Sequence, residues 1–365
     1  MSMQKQIQRP ILLVSRYTIS RYPLVLSRLL VGFANASIPV VLVCPPQEDI
    51  QHLLCGAAEV VTYPAVDLPL ANHFNKKRLI ETLSSYEPSV LHCLCETRAS
   101  MAAMLARHLD IPYILNVNAI HTRKSDFSIS TKRCLSIVCA TETIASSIRL
   151  LYKNDADRVK VIQYGAFVDD KCCSFSDPDT IPSIVMACDL DNAMDFECLF
   201  QAIGDLILDK HEFSVVIMGQ GKEEGLLRRM LMRMNLLQVV TIIPQLQPWR
   251  SVLAAGDIFL MAQPLTRFSS FLLEAMSVGA AVAACKGGVD DMLNTRSAVI
   301  FDPDDNMSIR FALQALLDRH ELARRLGMHA QDYIRVNHSV NTMVQKVINT
   351  YYEASQWSYG LATIA

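Results

Sequence analysis

A glycine-rich turn in the second half of the sequence has the residue types of a phosphate site. Residues Gly219-Gln220-Gly221-Lys222 follow the apolar run Ser214–Met218 and precede a helical pattern rich in Leu and Arg. Glycines between a strand and a helix let backbone N–H groups approach a phosphate at the helix N-terminus, and Lys222 would add positive charge. A tight strand–helix turn without a ligand would use the same glycines, so both interpretations stay open.

Two groups of cysteine and histidine residues suggest other chemistry only weakly. The segment His92-Cys93-Leu94-Cys95 has metal-binding residue types, but its alternation is that of a buried strand and no second Cys/His pair completes a tetrahedral site. Cys172 and Cys173 are adjacent, which is more often incidental than redox-active. The chain has 11 cysteines, an odd number, which predicts reduced thiols in a cytosolic protein. We therefore expect no metal ligands and no obligatory metal.

The elements that must position the glycine turn are short apolar runs alternating with helical patterns, as in parallel sheets covered by helices. The alternation runs twice, on either side of the polar segment Ser174–Pro182. We predict an N-terminal Rossmann-like domain at 1–170, a C-terminal Rossmann-like domain at 171–340, and a helix and tail at 341–365 that cross back to the first domain. Two such α/β domains facing each other leave a cleft outside the strand carboxyl ends, where ligands bind in open sheets.

Composition excludes several classes of protein. The chain has 365 residues, of which 51% are hydrophobic and 19% charged, so disorder and coiled coil are excluded. The net charge of −2 is too near neutral for a protein whose main task is binding nucleic acid. No apolar run approaches the roughly 18–20 residues needed to cross a bilayer. Residues 1–170 carry 18 basic and 14 acidic side chains, which favours an anionic acceptor or membrane surface, or is ordinary surface variation.

A composite of motifs in the second half resembles the retaining glycosyltransferases of family 4, which have the GT-B fold. The motifs are Ala254-Ala255-Gly256-Asp257-Ile258-Phe259-Leu260, Phe271-Leu272-Leu273-Glu274-Ala275-Met276-Ser277-Val278-Gly279 and Gly287-Gly288-Val289. They match the strand, the "LEAMxxG" helix and the "GGxxE" turn of that family. Tyr164–Asp169 is similar to the crossover into the second domain, and the resemblance covers most of residues 90–352.

The resemblance implies a nucleoside-diphosphate sugar held by the C-terminal domain and a hydroxyl-bearing glycan or lipid acceptor held by the N-terminal domain. Glu274 matches the second glutamate of the family's E-x7-E pair, which holds the donor ribose hydroxyls. A carboxylate near a helix start can accept two hydrogen bonds from a cis-diol, so this role is physically sensible. The backbone N–H groups near Leu272 and Leu273 would face the diphosphate. The turn at Gly219 and Gly221 and the separate turn at Gly287 would face it as well.

Several positions depart from the family pattern. Thr266 stands eight residues before Glu274, where the family has the glutamate that contacts the transferred sugar. The Arg and Lys that clamp the diphosphate are replaced by Asp189 and Met194, and Ser15-Arg16-Tyr17-Thr18 stands in place of the N-terminal Gly-rich loop. The family's N-terminal histidine aligns with Asn118, with His121 three residues further on. We take Thr266, Asn118 and His121 as the candidate catalytic positions.

The loss of two cations from a diphosphate site has a large expected cost. A hydrogen bond to a charged group contributes about 1.5–3 kcal/mol, so two lost partners weaken affinity by roughly a hundred-fold to ten-thousand-fold. Lys222, Arg267 and Lys286 lie in predicted loops at strand carboxyl ends and are candidate replacements, or they are solvated surface charges.

The sequence therefore predicts a glycosyltransferase that moves a sugar from a nucleoside-diphosphate donor to a hydroxyl with retention. The alternative is a catalytically inactive GT-B relative that serves as a binding or scaffold subunit, and a nucleotide-dependent epimerase is a more distant third. The expected location is the cytoplasm, with peripheral contact at the inner face of the membrane through the N-terminal domain as an additional hypothesis. Donor base, sugar and acceptor are not specified by the sequence.

Overall fold

The computed structural model describes residues 9–46, 50, 56, 58–63, 72–127, 129–130, 132–245, 249–289 and 291–362. The chain divides into two compact units, one comprising Met1–Gly165 with Val340–Ala365 and the other Ala166–Ser339. The first division falls at Gly165, five residues before the predicted boundary, and the second at Ser339, beside the predicted one. Each unit is an α/β layer structure around a parallel sheet, as the alternating apolar runs predicted.

The first unit has a seven-stranded parallel sheet in the order β3-β2-β1-β4-β5-β6-β7. Its strands are β1 Pro10–Leu13, β2 Val40–Cys44, β3 Ala58–Thr62, β4 Val90–Cys93, β5 Tyr113–Val117, β6 Cys134–Cys139 and β7 Val159–Val161. Its helices are α1 Arg16–Arg21, α2 Pro23–Asn35, α3 Asn72–Ser84, α4 Ala99–Leu109, α5 Glu142–Leu151 and the C-terminal α12 Val340–Ala362. Strands β1 and β2 are apolar and buried at every position because helices cover both faces of the sheet.

The C-terminal helix α12 belongs to the first unit and packs against α2. The aromatic rings of Phe33 and Tyr351 lie 5.6 Å apart between these helices. A Cβ atom at Gly32 would lie 2.5 Å from Val344 Cγ2, so glycine is what allows the close approach of α12 to the α2 backbone. Within the residues that the structure describes, no helix combines the length and apolar character needed to cross a bilayer.

The second unit has a six-stranded parallel sheet in the order β10-β9-β8-β11-β12-β13. Its strands are β8 Ser183–Asp189, β9 Ser214–Gln220, β10 Val240–Ile243, β11 Ile258–Met261, β12 Ala281–Cys285 and β13 Ala298–Phe301. Its helices are α6 Glu197–Leu208, α7 Glu224–Arg233, α8 Trp249–Ala254, α9 Ser270–Val278, α10 Asn306–Asp318 and α11 His320–Asn337. Phe196, Phe200 and Ile217 lie in its buried core.

Strand order fixes where each unit can hold a ligand. The chain winds outward in opposite directions from β8 and β11, so the topological switch point of the second unit lies between these two strands. In open parallel sheets, ligands bind outside the carboxyl ends of the strands at such a point. The corresponding pair in the first unit is β1 and β4.

The short helix α1 was not predicted from the sequence. Strand β1 ends at Leu13, and Ser15 caps helix α1 shortly after it. The Ser15 Oγ accepts a hydrogen bond from the Thr18 N–H at 3.1 Å, and the Thr18 hydroxyl interacts with the Ser15 N–H at 3.4 Å. This reciprocal capping box is a helix start, and it stands where family 4 has a Gly-rich loop.

Candidate functional site

The glycine turn of the second unit is shaped by its neighbour strand. A Cβ atom at Gly219 would lie 2.2 Å from the Cys188 carbonyl oxygen, and one at Gly221 would lie 2.3 Å from the Leu190 carbonyl carbon. Any larger residue at these positions would therefore push β9 away from the end of β8. Close packing of the strands thus requires these glycines, whether or not a phosphate binds.

Two backbone amides beside this turn donate to the chain's own carboxylates. The Lys222 N–H donates to Asp191 Oδ1 at 3.2 Å, and the Ala193 N–H donates to Glu223 Oε2 at 2.8 Å. A phosphate that used these amides would have to displace a carboxylate that already carries negative charge. The exposed Asp189, at the end of β8, adds a further acid at the switch point.

The loops that follow β8, β11 and β12 are tied to one another. Gln263 Nε2 donates to Asp195 Oδ2 at 2.8 Å, which joins the loops after β11 and β8. The Val289 N–H donates to the Leu265 carbonyl at 2.7 Å, which joins the loops after β11 and β12. Gly288 has a φ of +84° and passes so close to Leu265 that a Cβ atom there would lie 2.2 Å from its carbonyl oxygen. These loops therefore form one continuous rim.

This rim carries some of the predicted donor-side residues, while Lys222 follows β9 and Glu274 lies on α9. Thr266, Arg267 and Gly287 are exposed, with Thr266 and Arg267 in the loop that leads from β11 to α9. Met194, which stands in place of the family's lysine, is 59% exposed. The hollow at the strand ends is therefore not filled by this methionine side chain.

Two of the three candidate replacement cations, Lys286 and Lys222, differ in their surroundings. The Lys286 ammonium lies 2.5 Å from Asp302 Oδ2, and this carboxylate raises the pKa of Lys286. The Lys222 side chain makes no hydrogen bond or ion pair with any residue that the structure describes. Lys222 is therefore better placed than Lys286 to meet an anionic ligand without losing an existing partner.

Helix α9 carries the "LEAMxxG" motif and is capped at both ends. Ser269 is its N-cap, with Oγ accepting from the Leu272 N–H at 3.1 Å, while the Leu273 N–H donates to the Ser269 carbonyl at 3.2 Å. Both amides that the family resemblance assigns to a diphosphate are thus hydrogen-bonded within the cap. Gly279 ends the helix with a φ of +81°, where a side chain would be strained.

Gly279 also allows the close approach of the neighbouring helix α11. The Gly327 position in α11 lies against it, since a Cβ atom at Gly327 would meet the Gly279 carbonyl oxygen at 2.2 Å. The Cys172 thiol donates to the same carbonyl at 3.0 Å. The two glycines and Cys172 therefore form a close-packed junction of α9, α11 and the segment that enters the unit. This arrangement gives Cys172 a structural role.

Glu274 lies on α9 and is buried, with its side chain 1% exposed. Its Oε2 pairs with the Arg250 guanidinium of α8. The same guanidinium donates to Ser277 Oγ at 2.6 Å, to the Phe167 carbonyl at 2.8 Å and to Asp169 Oδ1 at 2.7 Å. Arg250 was not identified from the sequence, because no motif or spacing connects it with Glu274.

In the first unit, the candidate Asn118 is fully engaged at the carboxyl end of β5. Its Nδ2 donates to the Leu94 carbonyl at 3.2 Å, its Oδ1 accepts from the Tyr164 hydroxyl at 2.6 Å, and its backbone N–H donates to Glu96 Oε2 at 3.3 Å. Asn118 is 2% exposed. These contacts fix its position but use its polar atoms, so a ligand would need to displace one of them.

The candidate His121 lies between two carboxylates. Its Nδ1 is 3.2 Å from Asp126 Oδ2, and its Nε2 is 3.7 Å from Glu96 Oε1. The neighbouring carboxylate of Glu96, followed by that of Asp126, raises the pKa of His121 above its usual value against the opposing effect of partial burial. A protonated imidazolium at this position can donate a proton or a hydrogen bond. Glu96 is a second functional candidate that the sequence analysis did not find.

We expect the stability contributed by His121 to depend on pH. Because its folded pKa is raised, the protonated form stabilises the fold below the unfolded value of about 6.5, and this stabilisation is lost as pH rises through the folded pKa. His121→Gln should therefore lower the melting temperature more at pH 5.5 than at pH 9. Thermal melts of both proteins at the two pH values measure this difference, and an equal loss at both would contradict it.

The cysteines of the first unit include one unusual thiol. Hydrogen bonding from the Cys93 thiol is the main cause that lowers the pKa of Cys95 to about 6, with Ser15, Thr18 and Thr97 contributing against the opposing effect of burial. Cys95 is only 2% exposed, so it is shielded from reagents. Its charge would be stabilised by neighbouring donors at the end of β4.

His92 is a buried residue of β4. Its Nδ1 lies 2.7 Å from the Tyr351 hydroxyl and its Nε2 lies 2.8 Å from Asn116 Oδ1. Burial lowers the pKa of His92 to about 4. Both ring nitrogens are thus used in the core, which supports the interpretation of His92–Cys95 as a buried strand. Among the described residues, no group of three or more His, Cys, Asp or Glu side chains has metal-binding geometry.

Solved structures with the same fold are glycosyltransferases. A glycosyltransferase from Rickettsia africae has a TM-score of 0.77 at 14% identity, covering 96% of this chain and 99% of its own. Anabaena HepE in complex with UDP-glucose has a TM-score of 0.77 at 14% identity, covering 94% and 99%. Sucrose-phosphate synthase from Thermosynechococcus elongatus has a TM-score of 0.74 at 13% identity, covering 95% and 98%. The predicted GT-B fold is confirmed by these matches.

A family model matches part of the second unit. Residues 181–319 match the model of the family described as glycosyl transferases group 1. A sequence search among curated proteins gives no match. The chain therefore has the GT-B fold, and its second unit is similar to the group 1 glycosyltransferases.

Proposed function

We propose that this chain transfers a sugar from a nucleoside-diphosphate donor to a hydroxyl acceptor with retention of configuration, without an obligatory metal. The observation that carries the proposal is the second unit. Its family match coincides with the sheet whose switch-point rim carries Thr266 and Arg267, with Lys222 in the turn after β9 and Glu274 on helix α9. HepE, which shares this fold, has been solved with UDP-glucose bound, so UDP is the first nucleotide to test.

The proposed chemistry depends on charge that develops at the departing diphosphate. Backbone dipoles and basic side chains stabilise such charge without reorganising during the reaction. In this chain Lys222 and Arg267 would supply the positive charge, since Asp189 and Met194 stand in place of the family's clamp. Glu274 would accept hydrogen bonds from the donor ribose, and Thr266 would lie near the transferred sugar.

The acceptor side of the proposal is assigned to the first unit. Asn118 and His121 lie at the carboxyl edge of its sheet, where Glu96 contacts both residues. A protonated His121 would donate to an acceptor or donor oxygen, and Glu96 would accept a hydroxyl proton. A glycan or lipid acceptor, and peripheral contact of this unit with an anionic membrane, are part of the proposal.

A second candidate function is a binding or scaffold subunit without catalysis. The acidic residues at the glycine turn favour it, because Asp191 already accepts from the Lys222 amide next to Gly221 and Glu223 accepts from the Ala193 amide in the loop after β8. The two candidates differ in nucleotide binding. A transferase should be stabilised thermally by UDP, GDP or ADP at millimolar concentration and should release UDP or GDP from a nucleotide sugar. Absence of any shift with all three nucleotides would leave only the scaffold function.

We expect the double change Lys222→Ala, Arg267→Ala to abolish the nucleotide-induced thermal shift. Each cation would contribute one charge-assisted contact to the diphosphate, so losing both should weaken binding by about a hundredfold or more. The measurement is the melting temperature across a nucleotide titration.

The matched control for this pair is Arg229→Ala, Arg233→Ala, which removes the same charge from helix α7 just beyond the turn. This control should keep the shift. An unchanged shift in the Lys222, Arg267 double variant would show that these two residues do not replace the missing clamp.

A further inference from the structure

Arg250 is engaged by partners within its own unit. Its two terminal nitrogens donate to Glu274, Ser277, Phe167 and Asp169, so both are fully engaged within the second unit. The side chain is 21% exposed. Arg250 is therefore not a substitute for the lost diphosphate clamp, and any effect on a ligand must act through the residues that it holds.

Helix packing places Arg250 beside Glu274. Trp249 and Phe271 contact each other between α8 and α9, with ring centroids 4.6 Å apart. Arg250 follows Trp249, and Glu274 lies three residues beyond Phe271, so the aromatic contact and the ion pair occupy neighbouring positions along the same helix pair. Trp249 is 1% exposed, so this contact lies in the core and leaves α8 little freedom to shift.

Arg250 supplies a positive charge against the buried Glu274 carboxylate. A buried carboxylate without a partner is strongly disfavoured in its ionised form. Burial lowers the pKa of Arg250, but the charges of Glu274 and Asp169 outweigh it and leave that pKa above its usual value. The guanidinium thus stays protonated at any physiological pH and keeps a positive charge against Glu274.

Asp169, the other acidic partner of Arg250, is itself held in place by hydrogen bonds. The Asp169 N–H donates to the Ser277 carbonyl at 3.1 Å, and the Asp169 carbonyl accepts from Gln331 Nε2 at 3.1 Å and from the Arg335 guanidinium at 3.0 Å. Asp169 is therefore a fixed point of the unit. Arg250 connects this fixed point with the carboxylate that the proposed function assigns to the donor ribose.

We propose that Arg250 is a positioning residue for ribose recognition. It pairs with the Glu274 carboxylate and holds it in one orientation, so that a cis-diol meets a prearranged acceptor. This inference rests on the proposed function, because it needs a nucleotide at Glu274. Since Glu274 is 1% exposed, a ribose reaches it only where surrounding side chains move apart, which makes a fixed carboxylate orientation more important.

The test compares nucleotides that differ in the ribose. Isothermal titration measures the affinity of the full chain for UDP and for 2′-deoxy-UDP, or for the GDP or ADP pair if that base binds better. In the wild type, loss of the 2′-hydroxyl should weaken binding roughly tenfold. In Arg250→Met this ratio should fall towards one, while Arg250→Lys should keep an intermediate ratio.

The matched control is Arg335→Met, which removes another arginine held by Asp169 but leaves Glu274 untouched. Its ratio should equal that of the wild type. A ratio unchanged in Arg250→Met would overturn the inference and leave Arg250 and Glu274 as a structural ion pair. If Arg250→Met does not fold, Arg250→Lys and Asp169→Asn decide, and an unchanged ratio in both has the same meaning.

Failure of the proposed function gives a different result. In that case the wild type itself binds none of UDP, GDP and ADP, and the inference is overturned together with the function. Wild-type binding with no discrimination against the 2′-deoxy analogue would overturn the inference and the ribose role of Glu274, while leaving donor binding intact.

Discussion

Glu274→Ala is expected to abolish the thermal shift produced by nucleoside diphosphates and to destabilise the second unit even without nucleotide. The substitution removes the ribose acceptor and leaves the Arg250 guanidinium without its buried partner. Removing one member of a buried ion pair costs about 3–5 kcal/mol, and we expect about 3 kcal/mol because Asp169 still neutralises Arg250. For a unit of this size, such a loss lowers the melting temperature by roughly 6–12 °C.

Glu274→Gln is the control that separates the two effects. Its amide oxygen can still accept from Arg250, so most of the lost stability should return, whereas ribose binding needs the carboxylate charge and should stay weak. Differential scanning calorimetry with and without UDP measures both quantities. A full nucleotide shift in Glu274→Ala would contradict the assignment of Glu274 to the donor, and an unchanged melting temperature would contradict the ion pair.

The parallel sheets were predictable because they depend on local sequence. Runs such as Val40–Cys44 and Ala281–Cys285 are apolar at every position and buried at every position, as sheets covered on both faces require. The strand–turn–helix at Gly219–Lys222 was predictable for the same reason. Helix α1 was not, since its six residues show no helical apolar period and its start depends on the Ser15 cap.

The surroundings of the site residues depend on contacts that sequence spacing does not reveal. Gly221 is required by the Leu190 backbone, which lies on a neighbouring strand end. Lys286 pairs with Asp302 because the register of β12 and β13 places Cys285 opposite Phe301, so the next residue of each strand also meets. Such pairings follow from strand order, which was not part of the prediction.

Glu274 is the clearest example of a residue that the sequence identifies but whose contacts it does not reveal. Its motif identified the residue and its helix, and that prediction needed only sequence resemblance. Its partner Arg250 lies 24 residues earlier on another helix and belongs to no family motif that the sequence analysis used. The candidate residues could therefore be named from sequence, while the contacts that determine their charge and accessibility required the fold.

Restoring the family's cations is expected to produce the largest gain in affinity available to this chain. Asp189→Arg with Met194→Lys would replace one repulsive and one neutral side chain at the switch point with two phosphate-binding side chains. Two charge-assisted hydrogen bonds contribute roughly a hundred-fold to ten-thousand-fold in affinity, and solvent screening at these exposed positions favours the lower end. Stability should change little, because Met194 is 59% exposed and Asp189 is also at the surface.

The control for this gain carries the same charge change at other exposed positions. Asp179→Arg with Met232→Lys fulfils this condition, since Asp179 precedes β8 and Met232 lies on α7 with 63% exposure. Titration calorimetry with UDP at two salt concentrations then separates local contacts from overall charge. A gain confined to the Asp189, Met194 pair would mean that the donor site is intact apart from its cations. No gain in either pair would mean that Asp191, which accepts from the Lys222 amide, and Glu223, which accepts from the Ala193 amide, exclude the diphosphate, and this result would favour the scaffold function.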